Sequence, residues 1–160
     1  MKSFYDAINT EQEKKGETKG KTTMAHRQTE NLGQFHGNGE SILIVDDEVI
    51  LQKIGTQILT LLGYKVHALA SGKEAVAYLK NHSVDLVLLD MLLTPDMNGL
   101  ETYKQILQIS PQQKAIVISG YSQNDDINKT LALGAGAFLK KPYDMIQLSK
   151  AVFQELKKDK

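Results

Sequence analysis

The stretch Ile42-Leu43-Ile44-Val45-Asp46-Asp47 decides the fold, because a short apolar run ends there in two carboxylates. Runs of this length, separated by helix-like segments, are typical of buried strands in a parallel sheet. Three further runs also end in polar residues: Leu86–Leu89 in Asp90, Ala115–Ile118 in Ser119, and Ala137–Leu139 in Lys140-Lys141-Pro142. Because the carboxyl ends of parallel strands meet at one edge of the sheet, we expect these polar side chains to converge.

Three carboxylates at such an edge, from Asp46, Asp47 and Asp90, would repel one another. Two unit charges about 4 Å apart repel by about 4 kcal/mol at an effective dielectric of about 20, so the group must share protons or hold a cation. Carboxylate and main-chain carbonyl oxygens are hard ligands that suit Mg²⁺ better than zinc or copper. The sequence therefore predicts a Mg²⁺ site.

The composition limits the class of protein. A chain of 160 residues with 41% hydrophobic residues supports one folded domain plus a tail. The 19 basic and 19 acidic residues cancel, so we expect no direct nucleic-acid partner. The absence of cysteine excludes disulfides and thiolate sites. Apolar runs are far shorter than the roughly 18 residues that span a bilayer, and residues 1–40 lack a signal-peptide core, so we expect a cytoplasmic protein without a membrane span.

The chain divides into a leader and one domain. Residues 1–39 are polar and can bury little surface against their ordering entropy, which predicts a disordered leader with at most a weak helix over Phe4–Lys15. The segment Gly37-Asn38-Gly39 is predicted to be a hinge. Residues 40–158 form the predicted folded domain.

Within this domain, strand-like runs alternate with segments of helical period. The second predicted strand is Lys65–Leu69, and the predicted helices are Glu48–Leu62, Ser71–Asn81, Leu100–Ile109, Asp125–Leu133 and Asp144–Lys157. The first of these helices is expected to be capped by Asp46 or Asp47 and to bury Ile50, Ile54, Ile58, Leu61 and Leu62. Five such units predict a three-layer α/β sandwich with a parallel sheet of order 2-1-3-4-5 and a site at the switch point between strands one and three.

These motifs, in this order, resemble the receiver domain of two-component response regulators. The resemblance covers about residues 40–158 and is carried by Ile-Leu-Ile-Val-Asp-Asp-Glu at 42–48, Leu-Val-Leu-Leu-Asp at 86–90, Ile-Val-Ile-Ser-Gly-Tyr at 116–121 and Phe-Leu-Lys-Lys-Pro-Tyr at 138–143. It implies the flavodoxin-like receiver fold and a phosphoacceptor in a phosphorelay, which catalyses only its own phosphorylation and dephosphorylation.

The resemblance assigns the nucleophile and the metal ligands. It implies that Asp90 takes a phosphoryl group from a phosphohistidine. Asp47 would bind Mg²⁺ directly, Asp46 directly or through water, and the main-chain carbonyl of Leu92 would complete the protein ligands.

The resemblance also assigns the phosphoryl-binding and switch residues. Ser119 would hydrogen-bond one phosphoryl oxygen and Lys141 would pair with another. Lys141 is chosen over Lys140 because the family's lysine directly precedes the proline, in a bond that is usually cis. Phe138 matches the family's aromatic switch and is also expected in the core.

One loop departs from the family pattern. Pro95 and Gly99 lie five and nine residues beyond Asp90, whereas receivers commonly have four and eight, so the loop is one residue longer. Such a loop is reminiscent of receivers attached to hybrid sensor kinases.

The resemblance implies protein partners. A sensor histidine kinase or histidine phosphotransfer protein would donate the phosphoryl group. The surface of the fourth helix, fifth strand and fifth helix would then change its preference for a downstream partner or a linked kinase domain, and could carry a homodimer.

Two other functions stay open. A Mg²⁺-dependent phosphohydrolase with an aspartyl-phosphate intermediate would want a second Asp two residues after the nucleophile, where this chain has Leu92. A receiver used only for binding usually lacks one of the acidic or lysine positions, and this chain has all of them. The segment Gly16–Thr22 is predicted to be a charged linker, because its glycines are one residue too close for a phosphate-binding loop and no strand precedes it.

Overall fold

The fold is described from a computed structural model over residues 32–93, 97–122 and 124–159. Five parallel strands form one sheet, in the order β2-β1-β3-β4-β5. Their bounds are β1 Ser41–Val45, β2 Lys65–Leu69, β3 Leu86–Asp90, β4 Ala115–Ser119 and β5 Ala137–Lys140. The predicted sheet order is confirmed.

Five helices follow the five strands, and a short 3₁₀ turn at Gly33–Phe35 precedes the sheet. Their bounds are α1 Val49–Leu61, α2 Gly72–Leu79, α3 Gly99–Ile109, α4 Asp125–Ala132 and α5 Met145–Lys157. The last four helices start where an oxygen-bearing side chain accepts a hydrogen bond from an amide of the first turn, and these capping residues are Ser71, Asn98, Asn124 and Asp144. Local capping chemistry therefore sets where these helices begin.

The sheet has an apolar core on each face. Successive side chains of a strand point to opposite faces. Leu43 and Val45 accordingly pack with α2, α3 and α4, while Ile42 and Ile44 pack with α1 and α5. Helices on both faces of a parallel sheet make the predicted three-layer sandwich.

The predicted buried face of α1 is wrong in part. Ile50, Ile54 and Leu61 are 72%, 45% and 56% exposed. The helix instead turns Gly55 and Leu59 inward. A Cβ on Gly55 would lie only 3.1 Å from the Ile44 side chain, so the missing side chain lets the helix approach β1 closely along this stripe.

The predicted cap of α1 also differs. Glu48 occupies the capping position, and its side chain makes no capping hydrogen bond. Asp46 instead accepts a hydrogen bond from the Glu48 amide at 2.8 Å, one residue before the helix begins. This contact holds the Asp46 carboxylate at the end of β1 rather than over the first turn of the helix.

The folded part begins before residue 40, where the sequence placed its boundary. Leu32 and Phe35 are buried, and the Phe35 ring packs edge-on against Phe153 at 5.8 Å. The Tyr64 hydroxyl donates to the Phe35 carbonyl at 3.0 Å, and the Gly37 amide donates to the Leu62 carbonyl at 2.7 Å. Residues 32–39 are thus attached to the domain, and the predicted leader helix Phe4–Lys15 lies outside the described residues.

Within the part of the chain that the structure describes, no helix has both the length and the apolar character needed to cross a membrane.

Candidate functional site

The carboxyl edge of the sheet collects the polar residues that end the strands. Asp90 is the last residue of β3, Asp46 directly follows β1, and these two strands are neighbours. Ser119 ends β4, and Lys141 directly follows β5. Asp46, Asp90 and Ser119 are all buried. Strand register therefore brings residues that are 95 positions apart in sequence to one place.

Lys141 is the central cation of this edge. Its Nζ lies 2.8 Å from an oxygen of Asp90, 2.9 Å from one of Asp46 and 3.1 Å from one of Glu48. Its side chain is only 14% exposed, and the peptide bond to Pro142 is cis. Lys140 is exposed, so of the two adjacent lysines the structure brings Lys141 to the carboxylates.

Burial and charge act against each other at this edge. Burial raises the pKa of Asp46, and hydrogen bonds from Lys141 and from the Glu48 amide oppose that rise. Burial alone would lower the pKa of the Lys141 ammonium, but its hydrogen bonds to Asp90, Asp46 and Glu48 raise it above the ordinary value. Lys141 therefore stays charged among the carboxylates.

The donor set fits a small divalent cation. Carboxylate oxygens of Asp46, Glu48 and Asp90 lie within 4.8 Å of one another. Three carboxylates around the single ammonium of Lys141 leave a formal charge of minus two when all are ionised. Oxygen ligands of this kind suit Mg²⁺, which would cancel that charge.

Glu48 is the residue that sequence reasoning missed, and Asp47 is the one that it expected in this place. Asp47 is exposed and lies outside the group of Asp46, Glu48 and Asp90. A signal for Glu48 was present, because it is the third acid of the run Asp46-Asp47-Glu48. Asp47 as a metal ligand stays a prediction.

The loop after β3 starts with contacts to the site. The Leu92 amide donates to an oxygen of Asp90 at 2.9 Å, and the Leu92 side chain is 46% exposed. A Cβ on Gly99 would lie 2.7 Å from the Asp90 carbonyl oxygen, so only glycine allows the returning loop to pass this close. Pro95 falls in residues 94–96, outside the described part.

The two expected switch residues lie on neighbouring strands. The Ser119 hydroxyl oxygen accepts a hydrogen bond from the Tyr121 amide at 3.2 Å, which leaves its proton free to be donated. Phe138 is half-buried on β5 and packs against the core beneath α2, α3 and α4. Their roles in switching stay predictions.

The family follows from this fold, this edge and the sequence together. Residues 42–153 match the family described as the Response regulator receiver domain, so the chain belongs to that family. Its members are receiver domains of two-component systems, which interact with histidine kinases or phosphotransfer proteins and bind Mg²⁺ through an acidic cluster.

Individual proteins show the extent of the similarity. The chain is 34% identical to the chemotaxis protein CheY of Thermotoga maritima over 71% of its own length and 95% of that protein. A CheY-like receiver domain from Methanospirillum hungatei aligns with a TM-score of 0.70 and 32% identity, over 74% of this chain and 94% of that one. A chain of the CheX-CheY-BeF3-Mg²⁺ complex from Borrelia burgdorferi aligns with a TM-score of 0.69 and 33% identity, over 74% of this chain and 90% of that one.

Proposed function

We propose that this chain is a phosphoacceptor in which Asp90 takes a phosphoryl group from the phosphohistidine of a sensor histidine kinase or a histidine phosphotransfer protein. Mg²⁺ assists the transfer, and the phosphorylated domain changes its protein-binding surface. The observation that carries this proposal is the buried Asp90 carboxylate, held beside Asp46 and Glu48 around the single ammonium of Lys141.

The residues of the edge divide the work of transfer. An oxygen of Asp90 forms the new P–O bond while the P–N bond of the phosphohistidine breaks and the leaving imidazole carries a proton. The other Asp90 oxygen keeps its contact with the protein. Lys141 donates to one phosphoryl oxygen and Ser119 to another, so charge on the equatorial oxygens meets prearranged donors. Lys141 and Ser119 position the phosphoryl group and stabilise its negative charge, and they form no covalent bond to it.

Mg²⁺ would be held by Asp46 and Asp90, with Asp47 or Glu48 and the Leu92 carbonyl as further ligands. When bound, it supplies positive charge to the transferring phosphoryl group. The similar structure from Borrelia burgdorferi is a CheX-CheY-BeF3-Mg²⁺ complex, which supports this assignment. The oxygen donor set within 4.8 Å supports it independently.

The proposed output surface is α4, β5 and α5. Ser119 ends β4 and Phe138 lies on β5, so movement of these two side chains would alter that surface. We propose that a downstream protein, a linked kinase domain or a second copy binds there, and that the domain works in the cytoplasm.

The phosphohydrolase alternative is disfavoured by Leu92. A hydrolase of that kind needs a general acid two residues after its nucleophile, and the Leu92 side chain is a hydrocarbon that cannot donate a proton. The alternative of a receiver that only binds lacks a specific observation in its favour, because Asp46, Asp90, Ser119 and Lys141 all lie at the edge.

The test is phosphorylation by a small-molecule donor. Incubation with phosphoramidate and Mg²⁺ should add one phosphoryl group, visible by intact mass, and the adduct should be lost in base. Asp90→Asn should remove the adduct, while the matched control Asp125→Asn, an exposed acid in the first turn of α4, should keep it. Undiminished labelling of Asp90→Asn would show that the phosphoacceptor is another residue.

A further inference from the structure

An apolar groove lies between α1 and the start of α5. It encloses about 280 Å³. Its apolar lining consists of Leu32, Ile54, Ile58, Tyr143, Met145 and Ile146. Ile50 lies four residues before Ile54, on the same side of α1, and is mostly exposed. A continuous apolar surface of this kind is typical of a contact surface.

The chain itself enters this groove. Leu32 is buried, lines the groove, and is the first residue that the structure describes. The 31 residues that precede it therefore join the described part of the chain at the groove. Leu32 has helical backbone angles, φ −73° and ψ −31°. A helix continued backwards from it would place Gln28, Ala25 and Met24 on the same face as Leu32. Two of these three side chains are apolar.

The lengths also agree. Eight residues of helix span about 12 Å. The segment Met24–Asn31 has eight residues, and eight residues of α1 separate Ile58, beside Leu32 in the groove, from Ile50. A helical segment over residues 24–31 would therefore extend along the whole exposed apolar stripe of α1.

We propose that the segment Met24–Asn31 docks in the groove between α1 and α5, with Met24 and Ala25 against Ile50 and Ile54. The docked segment would end beside the phosphoacceptor site, because α1 begins directly after Glu48, which contacts Lys141. The docking does not depend on the proposed function.

The chain has no cysteine, so one introduced thiol can be labelled selectively. Arg27 would face away from the groove in a helix that places Leu32 inward, and Arg27→Cys carrying a nitroxide is the probe. In the full chain, methyl resonances of Ile50, Ile54 and Met145 should lose most of their intensity. The methyls of exposed Leu133, at the end of α4 on the other face of the sheet, should keep theirs.

Two variants in the labelled chain test the contact. Met24→Gln and Ile54→Ser should each restore the intensity at Met145. Leu61→Ser is the matched control, because Leu61 is exposed on the same helix but does not line the groove, and it should leave the loss unchanged. These spectra need no phosphorylation, so they do not depend on whether Asp90 is the phosphoacceptor.

Three outcomes would overturn the proposal. Equal loss at Leu133 and Ile54, or no loss at either, would show that the segment does not dock. Loss that persists in Met24→Gln would place another segment in the groove. Loss seen only when nitroxide-labelled chains are mixed with isotope-labelled chains would assign the groove to a second copy.

Discussion

The carboxyl ends of the parallel strands form one edge of the sheet and their amino ends form the opposite edge. Each of these two edges buries a carboxylate beside a lysine, but the ratio of acids to lysines differs. At the carboxyl edge, Asp90 shares Lys141 with Asp46 and Glu48. At the amino edge, buried Glu155 of α5 pairs with Lys158 at 2.6 Å, and Lys158 also donates to the Gly136 carbonyl. One carboxylate with one ammonium is neutral and fastens the end of a helix. Three carboxylates around one ammonium leave a net negative charge that a bound cation can neutralise.

At the amino edge, four residues fasten the end of α5, and we call this cluster the clasp: Lys114, Gly136, Glu155 and Lys158. A Cβ on Gly136 would collide with the Glu155 carboxylate, so the carboxylate fills the space that glycine leaves. Lys114 donates to the Leu156 carbonyl at 2.8 Å and also to the Lys158 carbonyl, at the end of α5. These contacts satisfy terminal helix carbonyls, which have no partner within the helix. The burial of Glu155 is therefore explained by its ion pair with Lys158 and by its place at the end of α5.

The largest expected effect separates the two lysines. Lys141→Met should slow phosphorylation by phosphoramidate about a hundredfold, because it removes a preorganised cation from the transferring group. Lys158→Met, the matched control at the amino edge, should leave the rate unchanged. Rates from intact mass over time decide this prediction. Equal rates for the two variants would erase the distinction between the edges.

The next prediction concerns stability, for which the acid at the amino edge should matter more than the acid at the carboxyl edge. Glu155→Gln should lower the free energy of unfolding by about 1–3 kcal/mol, because it weakens a buried charge-assisted hydrogen bond. Asp90→Asn should leave that free energy unchanged or raise it, because it relieves repulsion among the carboxylates. Urea unfolding measures both. A larger loss for Asp90→Asn than for Glu155→Gln would contradict the assignment of the clasp.

A smaller effect tests what controls hydrolysis at the carboxyl edge. Leu92 and Tyr121 are exposed beside Asp90 and Ser119, and neither offers a carboxylate or amide that could orient water. The double variant Leu92→Asn, Tyr121→Glu should lose phosphate about tenfold faster, equivalent to about 1.4 kcal/mol of barrier. Dephosphorylation at saturating Mg²⁺ is the measurement. An unchanged rate would assign control of the water to the loop backbone.

The last effect is confined to pH values above about 10, where the stability of the domain should depend on a tyrosine near the amino edge. Burial, with a contribution from Glu155, raises the pKa of Tyr103 from 10.0 to about 12. The unfolded chain therefore loses this proton first, and stability should fall as the pH rises from 10 towards 12, with Tyr103 contributing at most about 1.4 kcal/mol per pH unit. Tyr103→Phe should reduce the slope in urea unfolding. Part of it should remain, because burial also raises the pKa of Tyr64 to about 12. An identical slope in Tyr103→Phe would remove Tyr103 from this account.

Local patterns explain which parts of the fold could be predicted. The bounds of β2 agree with the prediction residue for residue, and β4 consists of the predicted apolar run Ala115–Ile118 with the Ser119 that ends it. Each is an apolar or alternating run, which is a local signal. Ser71 and Asp144 were placed at helix starts because their side chains cap the backbone within three residues. Such signals are short-range and need no knowledge of the rest of the chain.

The face of α1 could not be predicted in the same way. The helix carries two apolar stripes, one with Ile50 and Ile54 and one with Gly55 and Leu59. Periodicity favours the larger side chains, whereas packing favours the stripe whose glycine lets the helix approach Ile44. The choice depends on the surface of β1, which lies outside the helix.

The sequence by itself determined the strands and the place of Asp90 at the end of one of them, because hydrophobic runs and the polar residues that end them are local properties of the chain. The sheet order was predicted from the usual arrangement of five such strand–helix units. Only the tertiary structure decided that Glu48 joins Asp46 and Asp90 around Lys141 while Asp47 is exposed. It also decided that Leu32 lies in the groove between α1 and α5. Those outcomes depend on where the chain turns after β1 and on which surfaces meet. Contacts between distant elements are set by the free energy of the assembled core, and no single segment encodes them.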